Sequence, residues 1–134
     1  MRVLPRREGF TLIEILMAML IVSILAAIAI SLFWRTKDRG IQTTLQADLK
    51  TLAVHQEQYV GAHREYAAAV ADMPEFNRSP GVVVNITYAA ADGWAATSSH
   101  PSIPGTQCGL LVGSAPAASA PPATQQGIVM CTGQ

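Results

Sequence analysis

Residues 6–34, RREGFTLIEILMAMLIVSILAAIAISLFW, decide the fold of this chain, because they place a carboxylate just inside a long apolar segment. The apolar run covers residues 15–34, and its only polar side chains are Ser23 and Ser31. At a rise of about 1.5 Å per residue, a helix of this length crosses the roughly 30 Å hydrocarbon core of a bilayer. A helix that is apolar all round lies in lipid or inside an assembly. An acidic residue such as Glu14 is costly in that setting and therefore indicates a function.

The flanks of the apolar run distinguish a retained helix from a secretory signal peptide. A signal peptide has a shorter apolar core, followed by small residues at its cleavage site. Here the polar break precedes the run, at Glu8-Gly9, and a cut there would leave the apolar helix on the mature protein. The basic leader RVLPRR favours a cytoplasmic N-terminus. The basic group RTKDR at 35–39 weakens that assignment, because it places positive charge on the other side as well.

The stretch RREGFTLIEILMAMLIVSILAAIAI resembles the N-terminus of type IV prepilins and of the related pseudopilins of bacterial secretion systems. The resemblance covers roughly residues 6–35 and combines a short basic leader, Gly9, Phe10, Thr-Leu-Ile and an acidic fifth mature residue. It implies that a membrane prepilin peptidase removes the leader, residues 1–9, by cutting the Gly9–Phe10 bond and then N-methylates Phe10. It also implies that Glu14 takes part in the registration of subunits during assembly.

Electrostatics agrees with the role that this resemblance implies for Glu14. In the core of a filament its carboxylate can meet the cationic N-terminal amine of a neighbouring Phe10, and such a pair favours one axial offset between helices. The positive end of the helix dipole also favours an anion in the first turn. The alternative is that Glu14 simply lies at headgroup depth near a helix N-terminus.

The chain after the apolar run keeps a helical period. Its apolar residues lie on one face of an amphipathic helix: Ile41, Leu45, Leu49, Leu52 and Tyr59. Because no proline occurs between Phe10 and Met73, we predict one long helix that ends at Gly61. Its first half, 10–34, is the transmembrane and assembly helix, and its second half, 35–61, packs on a domain.

Residues 62–134 are expected to form a small α+β head. A short helical turn at 66–71 precedes four predicted strands, which cover 81–89, 94–100, 107–113 and 127–131. Alternation in the first strand predicts one shared face for Val82, Val84, Ile86 and Tyr88, and Asp92-Gly93 predicts a hairpin turn. The Ala/Pro/Ser-rich segment 114–126 is expected to be a solvated surface loop. The predicted fold class is α+β, with the helix packed on a small antiparallel sheet of about four strands, as the resemblance implies.

The two cysteines, Cys108 and Cys131, both fall in the predicted extracytoplasmic part. An even count in that compartment suggests a disulfide, the alternative being two buried free thiols. Neither the three histidines nor the acidic residues of the head show a ligand pattern: His55, His63, His100, Asp72, Glu75 and Asp92. No arrangement typical of catalysis stands out, so we predict a protein that is not an enzyme and uses no metal or cofactor.

These observations predict a structural subunit of a type IV pilus-like filament. By resemblance, its partners are other pilin subunits, the prepilin peptidase, an inner-membrane platform protein and an assembly ATPase. Its location is the bacterial inner membrane, with a cytoplasmic N-terminus, before assembly, and then an extracellular pilus or a periplasmic pseudopilus. The alternatives are a pseudopilin of a type II secretion system, a minor pilin for DNA uptake or adhesion, and a membrane-anchored protein that never assembles. Equal numbers of basic and acidic residues, nine of each, give nucleic-acid binding only weak support.

Overall fold

The computed structural model describes residues 9–133, so most of the predicted leader, residues 1–8, lies outside the described residues. The described chain divides after Lys37 into two compact units. It contains one long helix, α1 (Leu12–His63), and four strands, β1 (Val83–Ala90), β2 (Gly93–Ser99), β3 (Gln107–Gly113) and β4 (Met130–Cys131). The predicted fold class, a long helix with a four-stranded antiparallel sheet, is confirmed.

The first unit is the apolar part of α1, and its side chains are exposed throughout. Large apolar residues from Leu12 to Trp34 keep about half or more of their surface accessible, and the most apolar window of 18 residues has none buried. The two serines bond back to the helix: Ser23 Oγ donates to the Met19 carbonyl at 2.7 Å and Ser31 Oγ to the Ile28 carbonyl at 2.9 Å. Their hydroxyls are therefore satisfied within the helix, which is long and apolar enough to span a membrane.

The C-terminal end of α1 lies two residues beyond the predicted stop, and the residue that ends the helix is Arg64 and not Gly61. The helix continues to His63, whose ring stacks on Tyr59 with centroids 4.0 Å apart. Arg64 then takes a left-handed backbone conformation, with φ of 64°, and its N–H donates to the Val60 carbonyl at 2.8 Å. A left-handed residue just past the helix is a common way to end it, and here arginine occupies the position that glycine usually fills.

The second unit has its main core between α1 and one face of the sheet. The predicted stripe is confirmed, because Leu45, Leu49 and Leu52 are fully buried while Ile41 and Tyr59 are partly buried against the same cluster. Their partners across the core come from the sheet, the connection before it and the loop between β2 and β3, and include Val84, Trp94, Leu110, Met73, Phe76 and Ile103. Burying one leucine fully contributes roughly 1.5–3 kcal/mol, so this stripe holds the helix on the sheet.

Two polar side chains on the buried face of α1 hold the connection between helix and sheet. Gln56 is fully buried, accepting from the Ala67 N–H at 2.8 Å and donating to the Ala67 carbonyl at 2.9 Å. Asp48 accepts from the Ser79 N–H at 2.8 Å and from the Ser79 hydroxyl at 2.7 Å. Both side chains thus replace the secondary-structure bonds that an irregular segment lacks, and the hydrophobic pattern alone did not indicate either of them.

The sheet is an antiparallel meander with strand order β1-β2-β3-β4. The first three strands lie close to their predicted positions, whereas the fourth pairs over only two residues, with Cys108 opposite Cys131 and Gly109 opposite Met130. The predicted fourth strand at 127–131 is therefore too long. An isolated bridge joins Gln126 to Leu111, and the Gly127 N–H donates to the Leu111 carbonyl at 2.8 Å, but Gly127 takes a left-handed conformation and antiparallel pairing begins only at Met130.

A β-bulge at Thr87 overturns the predicted facing of β1. The register with β2 shifts between Ile86 and Tyr88, so one residue has no opposite partner. Val84 and Ile86 pack in the main core, whereas Tyr88 packs in a second cluster with Ala95 and Leu111. The extra residue reverses the alternation, which is the ordinary consequence of a bulge.

The segment 114–126, called the strap below, packs on the second face of the sheet. Most of its residues are exposed, as predicted for a surface loop, but it is not solvated on all sides. Three strap alanines, Ala115, Ala120 and Ala123, are buried against Ala95 and Leu111. Polar contacts also attach the strap: Gln107 Nε2 donates to the Pro121 carbonyl at 2.8 Å, Thr87 Oγ1 to the Ser119 carbonyl, and Gln126 Nε2 to the Gly113 carbonyl. Small side chains on both surfaces let the strap backbone approach the sheet closely.

We expect Gly109→Ala to loosen the strap. A Cβ at this position would overlap the Ala120 carbonyl oxygen and lie 3.0 Å from the Pro121 carbonyl oxygen, and both obstacles are backbone atoms. Overpacking of this kind typically costs about 1–3 kcal/mol. Denaturant unfolding should show that loss of stability. The control is Gly61→Ala, whose new Cβ meets open space on a helix, so this change should be neutral or stabilising. Gly105→Ala does not serve as a control, because Gly105 has a positive φ. Equal midpoints for Gly109→Ala and wild type would show that the strap does not seat on β3.

The ionisation of Tyr66 should make the free energy of unfolding of the second unit depend on pH in the alkaline range. Its hydroxyl donates to Glu57 Oε1 at 3.3 Å, and its ring lies 6.5 Å from that of Trp94. Partial burial, and then the charge of Glu57, raise the pKa of Tyr66 above its ordinary value of 10.0. Because the folded-state pKa is the higher one, the contribution of Tyr66 is complete below about pH 10 and is lost as pH rises through the folded pKa. Above pH 10 the unfolding midpoint of wild type should therefore fall relative to that of Tyr66→Phe. A difference between the two midpoints that does not change with pH would contradict this.

Candidate processing and assembly site

The candidate site begins where the chain enters α1. Thr11 is the last residue before the helix, and Glu14 lies in its first turn. Glu14 Oε2 accepts hydrogen bonds from the Thr11 N–H at 2.8 Å and from the Thr11 hydroxyl at 2.7 Å, and the Thr11 hydroxyl accepts from the Glu14 N–H at 3.4 Å. These reciprocal bonds form a capping box, which satisfies backbone donors that a helix N-terminus otherwise leaves free.

The capping box directs the Glu14 carboxylate toward the start of the helix. Only Oε2 is used by Thr11, and Oε1 accepts no hydrogen bond from residues 9–133. One carboxylate oxygen thus remains able to accept a donor from another molecule. A neighbouring cation is the natural donor, because hydrogen bonds between charged groups are shorter and stronger than neutral ones.

The predicted cleavage junction lies just before this cap. Gly9 and Phe10 are outside the helix and exposed, and Phe10 keeps 83% of its surface accessible. Both residues of the Gly9–Phe10 bond lie outside regular secondary structure and are exposed, so the helix does not shield this bond within the described chain. The helix begins immediately beyond the junction, so cutting there would leave α1 intact.

Thr11 is the residue of this site that the sequence reasoning did not single out. Its signal was available, since Thr-Leu-Ile-Glu has the spacing of a capping box, with a hydroxyl residue three positions before an acidic one. The structure therefore gives Glu14 an intramolecular role, as a helix cap, beside the intermolecular role that the resemblance implies.

The predicted disulfide is confirmed in the second unit. Cys108 and Cys131 are bonded, at a sequence separation of 23, and join β3 to the short β4. Both are buried in the main core, and Gln46 Nε2 of α1 lies 3.3 Å from Cys131 Sγ. The bridge thus closes a loop that contains the whole strap.

The histidines and carboxylates of the head lie in separate surroundings. His55 contacts Phe76 edge-on at 5.6 Å, His63 stacks on Tyr59, and His100 Nδ1 accepts from the Ser102 N–H at 3.0 Å. Among residues 9–133, no three histidine, cysteine, aspartate or glutamate side chains are grouped so that they could hold a metal ion. Trp94 is a fully buried core residue, and its indole Nε1–H has no hydrogen-bond acceptor within the described chain.

Comparison with known proteins points to the same end of the chain. Residues 4–30 match the family described as the prokaryotic N-terminal methylation motif. A 63-residue stretch is 38% identical to the type IV major pilin protein PilA of Myxococcus xanthus (strain DK1622). That stretch is 47% of this chain and 29% of the relative, so the match spans less than a third of the relative's length.

The motif match covers the predicted cleavage junction, the capping box and most of the exposed apolar helix. The fold beyond it is a helix packed on a four-stranded antiparallel sheet. The chain therefore carries a prepilin-type N-terminal methylation motif on a pilin-like α+β fold, and it is distantly similar to a type IV major pilin.

Proposed function

We propose that this chain is a subunit of a type IV pilus-like filament. The proposal rests on the apolar part of α1, whose large apolar side chains are all exposed from Leu12 to Trp34. So much apolar surface is not stable in water, and it requires either a bilayer or a bundle of similar helices. A filament subunit uses both in turn, first as a membrane precursor and then as a polymer.

In this proposal the precursor is inserted in the bacterial inner membrane with its N-terminus in the cytoplasm. A prepilin peptidase cuts between Gly9 and Phe10, removes residues 1–9 and methylates the new amine of Phe10. Residues 10–34 then act as the transmembrane and assembly helix, 35–61 carry the head on the same helix, and 62–134 complete the head. The exposed junction and the methylation motif support the processing step.

The geometry of the cap supports a role for Glu14 in assembly. The Glu14 oxygen that Thr11 leaves open receives the Phe10 amine of a neighbouring subunit, and the resulting pair sets the axial offset between adjacent helices. Repetition of one such heterologous contact generates a helical filament. A platform membrane protein and an assembly ATPase would drive the transfer from bilayer to filament. The similarity to a major pilin favours a pilus over a secretion pseudopilus.

Mass spectrometry of the protein from native membranes tests the processing step. The expected N-terminal peptide begins at Phe10 and carries a methyl group, whereas cells that lack the prepilin peptidase should retain the leader. Any other mature N-terminus would overturn the cleavage assignment. Labelling sheared surface filaments with an antibody against residues 62–134 tests polymerisation separately, and correctly processed protein that is absent from filaments would overturn it.

A further inference from the structure

The apolar part of α1 ends in a small group of aromatic and basic side chains. Trp34 is its last apolar residue, with 55% of its surface exposed, and Phe33 packs edge-on against it at 5.9 Å. Arg35 and Lys37 follow and are exposed. Lys37 folds back over the indole, with Nζ 5.2 Å from the ring centroid of Trp34. We call Trp34, Arg35 and Lys37 the basic collar.

The basic collar presents positive charge that the described chain does not neutralise. No carboxylate among residues 9–133 lies within 4.0 Å of either cation. The next two residues, Asp38 and Arg39, offset each other in charge, so the segment keeps the surplus of Arg35 and Lys37. The cation–π contact holds the Lys37 ammonium at the depth of the indole, and tryptophan prefers the boundary between hydrocarbon and headgroups.

We propose that the basic collar binds the headgroup phosphates of anionic phospholipids and so fixes the depth of α1 in the bilayer. The proposal rests on the membrane insertion proposed above. Charge complementarity selects this partner, because two unpaired cations directly follow an apolar segment that ends in tryptophan, and juxtamembrane basic residues are attracted to anionic lipid surfaces. Residues 35–39, which weaken the topology signal of the sequence, thereby gain a role as an anchor at the end of the span.

The experiment uses the full chain reconstituted in vesicles of phosphatidylcholine and phosphatidylglycerol, with one lipid at a time brominated on its acyl chains. Bromine quenches tryptophan fluorescence at contact range. The signal of Trp34 is obtained by subtracting the spectrum of a Trp34→Phe chain, which retains Trp94. At equal mole fraction, brominated phosphatidylglycerol should quench Trp34 at least about twofold more than brominated phosphatidylcholine, since each basic residue near the surface adds attraction for anionic lipid.

Variants locate the effect. The double variant R35Q/K37Q should remove the excess quenching by phosphatidylglycerol, and high salt should reduce it, because surface attraction is screened. The matched control K50Q/R64Q neutralises two exposed basic residues of the second unit and should keep the excess. Equal quenching by the two lipids in wild type, or an excess that persists in R35Q/K37Q, would overturn the basic collar.

The same measurement separates this inference from the proposed function. Quenching of Trp34 by brominated phosphatidylcholine reports insertion of the helix, whatever the headgroup selectivity. Quenching of Trp34 that is equal for the two lipids overturns the basic collar alone. Its absence shows that the end of the helix does not reach the bilayer, and overturns both the collar and the insertion on which it rests.

Discussion

We expect Glu14→Ala and Glu14→Gln chains to be cut and methylated normally but to enter filaments at least roughly tenfold less than wild type when each is the only subunit. In the proposed filament, either change leaves the cationic amine of Phe10 without its partner inside a packed helical core, and an uncompensated charge there is strongly unfavourable. The measurement is the amount of subunit in sheared filaments relative to the amount in membranes, at equal expression.

The capping box makes a sharper comparison possible. Glutamine is also found at the third position of capping boxes, so Glu14→Gln retains an acceptor for the Thr11 N–H and hydroxyl while it removes the charge. Thr11→Ala does the reverse, because it removes the hydroxyl of the cap and keeps the carboxylate. Loss of a threonine cap costs about 0.5–2 kcal/mol of helix stability, so this variant should assemble much better than either Glu14 variant.

Three results would distinguish the two roles of Glu14. Charge pairing predicts failure of Glu14→Gln and assembly of Thr11→Ala. Capping alone predicts the opposite, with Glu14→Gln close to wild type. Wild-type incorporation of Glu14→Ala would show that neither role matters to the filament, and the register proposal would be wrong. The N-terminal peptide of each variant must begin at Phe10, since an uncut precursor fails to assemble for a different reason.

Most of the fold could be predicted from local sequence patterns, because each pattern lies within a short stretch of the chain. The apolar run and the stripe from Ile41 to Tyr59 predict α1 through helical periodicity, and both are present. The turn signal at Asp92-Gly93 correctly indicates the pairing of β1 with β2, but its position is one residue late, because Gly93 already pairs with Ala90 and the loop residues are Ala91 and Asp92. The disulfide was accessible from cysteine count and compartment. In each case the deciding signal lies in residue type and spacing, and little depends on distant parts of the chain.

The features that sequence reasoning missed depend on contacts between distant segments. The bulge at Thr87 depends on register with β2, and alternation alone predicts the wrong face for Tyr88. The strap has the composition of a solvated loop, yet its alanines match a sheet face made of Ala95, Gly109 and Leu111. Small side chains contribute little to a hydrophobic pattern, so the sequence does not show that close packing of the two backbones buries them.

The buried polar residues of α1 illustrate the same limit. Asp48 and Gln56 interrupt the apolar stripe and read as surface residues, because nothing near them in the sequence shows which backbone groups they bond. Their partners, Ser79 and Ala67, belong to the irregular connection. At the candidate assembly site, by contrast, the residue that Glu14 bonds within the chain, Thr11, is only three positions away, so the spacing of the two residues indicates the capping box.

The disulfide should be the largest single contribution to the stability of the second unit. A bridge between residues separated by 23 positions removes about 3 kcal/mol of loop-closure entropy from the unfolded chain, on the chain-entropy model. For a domain of this size that corresponds to a fall in melting temperature on the order of 10–20 °C. We therefore expect a Cys108→Ala/Cys131→Ala chain to unfold at clearly lower denaturant concentration than wild type, with a similar slope.

The reason that the loss should be so large lies in what the bridge holds. β4 pairs with β3 over only two residues, and the Thr132 N–H adds one further bond to the Gln107 carbonyl at 2.9 Å. Pairing this short does not hold a strand in place by itself, so without the bridge the C-terminal segment should detach and expose the edge of β3. Hydrogen exchange should then rise first at Cys108 to Leu110 and in the strap, whereas the amides around Leu45 to Leu52 in α1 should stay protected until global unfolding.

Reduced wild-type protein is the matched control for the alanine pair, because it loses the covalent bond but keeps both sulfur atoms in the core. If chain entropy dominates, reduced wild type and the double variant should lose similar amounts of stability, and the double variant should lose somewhat more through the small cavities that it creates. A double variant as stable as the oxidised protein would contradict this account, and would mean that the strap and Gln46 hold β4 without the bridge. Faster hydrogen exchange in the double variant, confined to the strap and the β3 edge, would instead show that the disulfide keeps the strap packed on the second face of the sheet.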